Sequence, residues 1–203
     1  MDDLKPPTTG SVFARLCAFW VYGGSMGGVV LLALTPFVAS GWTLAQTLVF
    51  TCLPAYMIHQ FEEHDADRFR TFINTRLGCG MDVLTARAVF VINVIGVWCV
   101  LGAIIAATFA IDPRIGLAAG YFLAINGALH LVQGFALRCY NPGLATGVAV
   151  FLPLGTSVVV TASAGATGVQ HGLAIALVLA IHAMIVANVA IRRRKLMRGP
   201  ATA

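Results

Sequence analysis

His59-Gln60-Phe61-Glu62-Glu63-His64 gathers two imidazoles and two carboxylates into about one and a half helical turns. On a helix, positions i, i+3 and i+4 are neighbours, so His59, Glu62 and Glu63 are expected to share a face. An imidazole with two carboxylates is a metal-ligand set or an acid–base set. The plainer reading is a polar cap where a helix meets water. Glu62, Glu63 and His64 fit that reading, but His59, a full turn deeper, does not. Asn126, His130 and Gln133 form a second stripe, spaced i, i+4 and i+7 on one side of a helix. A single histidine in an apolar helix is more often a packing residue than a ligand; three polar residues in one stripe favour a shared site. Tyr140-Asn141-Pro142-Gly143 follows. Turn chemistry alone explains Pro142 and Gly143, while Tyr140 offers a hydroxyl at the mouth of such a site. His182 is a deeper ligand, a supporting partner or a packing residue, and Asn93 is similar.

Elements able to position these groups follow from composition. Of 203 residues, 59% are hydrophobic and 10% charged, and the mean hydropathy is strongly positive. A soluble domain carries about a quarter charged residues, so most of this surface must face something other than water. Crossing ~30 Å of hydrocarbon takes about 20 apolar residues. Six stretches qualify: 14–38, 43–63, 83–110, 115–138, 143–163 and 172–191. The sequence therefore predicts an all-α, polytopic membrane helix bundle of six spans. Residues 1–203 form one transmembrane domain, with 192–203 as a basic tail. The breaks have local causes. Gly41 follows Ser40, a charged segment runs from His64 to Asp82, and Asp112-Pro113-Arg114 cannot sit in lipid. Asn141-Pro142-Gly143 forms a turn, and Gly165 to Gly172 divides the last pair.

Orientation follows from Lys and Arg. With the N-terminus inside, 12 of 13 lie on the cytoplasmic side and only Arg114 lies outside. Both termini are then cytoplasmic. Spans two and four both run inward, and a rise of 1.5 Å per residue puts His59 about 6 Å and His130 about 12 Å from the inner boundary. The two stripes meet in the cytoplasmic half of the membrane. His171 falls at the opposite face.

The net charge of +5 does not imply a nucleic-acid partner. Arg192, Arg193, Arg194, Lys195 and Arg198 follow an apolar run directly, as topology signals and anionic-lipid contacts do. Five cysteines, an odd number without metal spacing, read as buried reduced thiols. Met1-Asp2-Asp3 lacks the basic start of a cleaved signal peptide, so the first span is expected to persist. Gly23, Gly24, Gly27 and Gly28 allow close helix approach, within the bundle or in a homodimer through the Gly23/Gly27 face. Pro54 and Pro153 should kink their helices. The halves show no internal repeat, which weakens a transporter reading.

With these motifs in order, the chain resembles the HXXEE-motif family of small bacterial integral membrane proteins. The family's His-x-x-Glu-Glu appears as His59 to Glu63, its further histidine as His130, and its Tyr-x-Pro-Gly as Tyr140 to Gly143. The resemblance runs from the second span to the fifth. It implies a bacterial cytoplasmic membrane location and no particular reaction. A looser likeness is to glutamate-dependent intramembrane proteases of prenylated proteins, whose paired glutamates are followed by an arginine. Arg68 lies one residue further on than that pattern requires, and Asn126 stands where it has Phe.

The leading expectation is a metal-dependent enzyme, a hydrolase, opening at the cytoplasmic interface. His59, His130 and Glu63 would bind a divalent metal, zinc foremost, with Glu62 as general base and Tyr140 at the entrance. Asn126, Gln133, Asn141, Pro142, Gly143 and His182 would support the ligands or line the pocket. Membrane lipid is the surroundings, and an apolar or lipid-linked molecule is the expected substrate. The alternatives are a small transporter or proton-coupled carrier, and a non-catalytic membrane subunit.

Overall fold

The computed structural model describes residues 11–198, so expectations for the acidic start and the last five residues lie outside the described residues. Those described fold into helices α1 (Val12–Val38), α2 (Leu44–His64), α3 (Arg68–Arg76), α4 (Ala86–Ala110), α5 (Pro113–Leu137), α6 (Leu144–Ala162) and α7 (Gly168–Met197). Five of them, α1 and α4 to α7, are long and apolar enough to cross a membrane. α2 has 21 residues, but its polar last turn and a half depress its hydropathy. The chain is an all-α bundle of the polytopic membrane type.

Helix starts follow local capping. Thr43 with Gln46 and Thr167 with Gln170 form reciprocal capping boxes for α2 and α7. Asp112 accepts from the Arg114 amide, and Pro113 opens α5 where no donor is needed. α7 starts four residues before the expected 172 and continues through Arg192 to Lys195, so the basic tail begins as helix. The charged segment after α2 contains α3, an amphipathic helix too short for hydropathy to reveal. Ile73 and the flanking Phe69 and Phe72 pack it against Trp20, Val83 and Phe90.

α1 lies against α2, and α2 is central, touching α4, α5 and α6; α7 rests mainly on α5. The main core joins Val49, Cys52, Tyr56, Leu101, Phe122 and Phe151. Gly24 and Gly28 face inward, where an added Cβ would meet Trp98 at 2.7 Å and the Pro54 carbonyl at 2.8 Å. Gly23 meets nothing within 4 Å. The inward pair thus serves packing within the bundle. α5 and α6 touch backbone to backbone: an added Cβ on Gly127 would lie 2.6 Å from the Gly147 carbonyl, and one on Gly155 would lie 2.7 Å from the Gly120 carbonyl.

α2 runs as one α-helical element through Pro54. In α6 the irregularity precedes Pro153: Gly147–Phe151 is π-helical and includes Ala149, whose carbonyl the proline ring would crowd. All five cysteines are free, but only Cys52 is fully buried. Cys79 and Cys99 are exposed, contrary to the expectation of uniformly buried thiols. Cys79 lies in the turn after α3, and Cys99 falls on an outward face of α4.

Candidate metal centre

The end of α2, the last third of α5 and the turn into α6 meet at one buried point. His59 is fully buried, and Glu63 and His130 are nearly so. The His59 and His130 ring centroids are 5.1 Å apart. Glu63 places Oε2 3.8 Å from His59 Nε2 and Oε1 3.6 Å from His130 Nε2. One ligand atom from each of the three residues falls within 4.8 Å of the others, spacing able to hold a metal ion.

Hydrogen bonds behind the rings assign their protons. Thr146 donates its single hydroxyl proton to Glu62 Oε2, so toward His59 Nδ1, at 2.7 Å, it can only accept. His59 therefore carries its proton on Nδ1. Asn141 donates Nδ2 to the His130 carbonyl at 2.9 Å, which turns its Oδ1 to His130 Nδ1 at 2.7 Å. His130 is protonated on Nδ1 too. Both Nε2 lone pairs thus point at a carboxylate, and His59 Nε2 is buried without a partner. Acceptors converging from three side chains are arranged as a cation could use them, and each imidazole already has the outer hydrogen bond that orients a metal ligand. A nitrogen–nitrogen–oxygen set suits a divalent metal that takes imidazole with carboxylate.

Gly143 explains the turn. Its φ is +95°, and a Cβ there would lie 2.6 Å from His130 Cε1 and 2.9 Å from His59 Cε1. Any side chain would fill the space between the rings. Pro142 and Asn141 are buried beside it.

The two glutamates diverge. Glu62 takes protons from the Tyr140 and Thr146 hydroxyls and from the Ala145 and Thr146 amides at 3.0 and 2.7 Å. Those amides belong to the first turn of α6, which has no intrahelical partners for them. Glu62 caps α6 from across the bundle and reaches His59 only through Thr146. The expected role as a base beside the metal does not match this placement, because both oxygens are engaged elsewhere. Tyr140 is half exposed and serves Glu62 rather than the cluster. Partial burial, then the adjacent Glu62 carboxylate, push its hydroxyl up to about 12, so it remains a donor.

His64 belongs to the buried group and not to a solvated cap. Its Nε2 lies 3.1 Å from Glu63 Oε2. A chain fixes its other contact: Trp98 donates to Gln60 Oε1, Gln60 to Asn93 Oδ1, and Asn93 Nδ2 faces His64 Nε2 at 3.2 Å. Thr146, Gln60 and Trp98 have no signal in the sequence. His64 does, standing one residue past the motif.

Asn126 donates to the Tyr56 hydroxyl at 3.1 Å. Asn126, Gln133 and His182 line a cavity of about 490 Å³ that also takes in Glu63, His64 and His130. His182 points Nδ1 at the Val178 carbonyl and packs on Phe122, outside the three-residue cluster. His171 pairs with Tyr121 at the far end of α5.

Fold and centre together define a membrane-embedded helical bundle with a buried two-histidine, one-glutamate cluster. Residues 50–158, more than half of the chain, match the family model described as a protein of unknown function with HXXEE motif, and the chain belongs to that family. No curated protein and no solved structure matches it.

Proposed function

We propose that the protein is a metal-dependent hydrolase of a bacterial cytoplasmic membrane, acting on a lipid or lipid-linked substrate at the cytoplasmic interface. The observation that carries this reading is the convergence of His59 Nε2, His130 Nε2 and the Glu63 carboxylate beside a largely apolar cavity. The three residues would hold a divalent metal, zinc foremost. A metal there supplies Lewis acidity and an open position for water. The chain's own residues do the rest. Thr146 and Asn141 fix the imidazole tautomers, and Glu62 holds Thr146 and the start of α6. His64, on the cavity wall, would help to position the Glu63 carboxylate, its Nε2 lying 3.1 Å from Oε2. Phe122 and Val97 exclude water and accept an apolar chain. A purely structural subunit would leave the His59 Nε2 lone pair unsatisfied in the core, a cost of about 1–3 kcal/mol without return.

The test is elemental analysis of the full-length protein, purified in detergent without chelator. Stoichiometric metal is expected in the wild type. His59→Ala and His130→Ala should be empty yet remain helical and monodisperse, because packing and backbone hydrogen bonds hold membrane helices. Wild-type protein without stoichiometric metal overturns the reading.

A further inference from the structure

Among the described residues, three buried side-chain atoms lack a hydrogen-bond partner: His59 Nε2, Asn126 Oδ1 and Arg193 Nε. The first belongs to the metal cluster, and the residues of the other two line the cavity that opens from it. Packed proteins leave few such atoms, and each needs a reason. Arg193 stands at the far end from His182, which precedes it by eleven residues and is therefore about 16 Å away along α7. The lining also includes the apolar Leu84, Val97, Phe122 and Val189. The neighbouring Arg192 is already satisfied by Asp82, through the carbonyl at 2.7 Å and the carboxylate at 3.5 Å. Arg193 has only the Cys79 sulfur at 3.7 Å. Glu63 is the one acidic residue in the lining, and it serves the histidines. The positive charge of Arg193 is thus uncompensated at the mouth of an apolar chamber.

We infer that this cavity is a binding site for a membrane amphiphile with an oxyanion head, the head on Arg193 and the chain running inward past the His/Glu cluster. The inference rests on the proposed function for the chemistry at the cluster, and on the cavity alone for binding. A guanidinium suits the occupant because it engages phosphate or carboxylate oxygens through two parallel N–H donors and tolerates partial burial. A volume of about 490 Å³ is within the range of small-molecule pockets, roughly 300–1,000 Å³. Leu129 and Val132 of α5 and Val186 of α7 line the cavity while remaining exposed on the bundle surface, giving a lateral entry for a chain from the bilayer. With the head at Arg193, a chain running inward past Val189 toward His182 meets the part of the lining that holds Glu63 and His130. The substrate class is therefore an anionic lipid with one chain in the cavity, running past the His/Glu cluster.

The test is retention of defined amphiphiles by the full-length protein. Protein in dodecyl maltoside is mixed with hexadecyl phosphate, hexadecanoate or hexadecan-1-ol, passed through gel filtration, and its bound content measured by mass spectrometry. Inorganic phosphate is run in parallel. Hexadecyl phosphate, hexadecanoate or both should be retained near one per chain, and inorganic phosphate should not be. Arg193→Gln should weaken anionic retention by roughly tenfold or more, the share of a charged hydrogen bond, leave hexadecan-1-ol unchanged, and keep wild-type metal content. Arg193→Lys should fall between. Val189→Phe, which fills the chamber, should lower retention of every chain. Equal retention of the anions by Arg193→Gln and wild type overturns the inference, as does binding of inorganic phosphate as tight as that of its hexadecyl ester. Absence of metal from the wild type would overturn the proposed function and leave these binding results standing.

Discussion

Successive residues on an α-helix point about 100° apart, and at Glu62 and Glu63 that rotation separates two tasks. Glu63 faces His59, His64 and His130, whereas Glu62 faces the start of α6. Their isosteric substitutions should therefore fail in different ways. Glu63→Gln removes a charged ligand, so metal content should drop to background while the helices stay packed. Glu62→Gln keeps the ligand set but turns an amide N–H toward some of four donors. That loosens Thr146, and through it His59. The expected result is a 10- to 100-fold loss of metal affinity, about the usual effect of disturbing a ligand's hydrogen-bond partner. A loss of about 1–2 kcal/mol in stability should accompany it from the weakened cap. Chelator competition and thermal unfolding in detergent read the two effects. The reverse order, with Glu62→Gln emptying the site and Glu63→Gln merely weakening it, would exchange the two assignments.

At the scale of elements, the position of His130 depends on how closely α5 and α6 approach. Gly127 allows that approach one turn from His130, and Gly23 on α1 provides a control that meets nothing. Gly127→Val should destabilise the bundle by about 1–3 kcal/mol, the usual range for overpacking. It should also lower metal content, because Gly143 and Thr146 shift together with α6. Gly23→Val should change neither quantity, and thermal unfolding with metal analysis on both variants checks the contrast. These contacts mark where sequence reading stops. Apolar runs pointed to six spans, of which five correspond to helices long and apolar enough to cross a membrane, and spacing placed His59 with Glu63 and His130 with Asn126, since both signals are local. The inward pairing of Gly120 and Gly127 with Gly155 and Gly147 is a relation between distant residues and leaves no local trace. α3 was hidden for another reason: nine residues carry too little apolar length. The left-handed Ala66 before it, at φ 50°, is not a residue that announces such a turn, although Asp67, at φ 61°, is of a type that tolerates it. Thr146 is one hydroxyl among several in an apolar run, and only the fold sets Glu62 and His59 on either side of it.

On the scale of the whole molecule, the distribution of charge becomes a statement about space. Arg70 and Arg192 both reach Asp82, Arg193 reaches Cys79, and Arg87 lies over Phe13. α3, the α4 start, the α1 start and the α7 end are thereby tied into one basic end of the bundle. Arg114 sits at the other end with Asp112 and the Gly165 carbonyl. An end rich in Lys and Arg stays on the cytoplasmic side during insertion, so the His/Glu centre, nearer that end, should open inward. Single-cysteine labelling tests this in intact cells, using a Cys79→Ser/Cys99→Ser background to silence the exposed native thiols. Ala66→Cys, exposed beside α3, should react with a membrane-impermeant maleimide only after the cells are opened. Ala164→Cys, exposed at the end of α6, should react from outside without opening. The rate contrast should exceed roughly tenfold in opposite senses at the two positions, because an intact bilayer blocks the charged reagent from the inner face. Labelling of Ala66→Cys from outside would invert the bundle. It would place the His/Glu centre, its cavity and Arg193 against the outer leaflet, where an anionic lipid of the cytoplasmic leaflet cannot be the occupant.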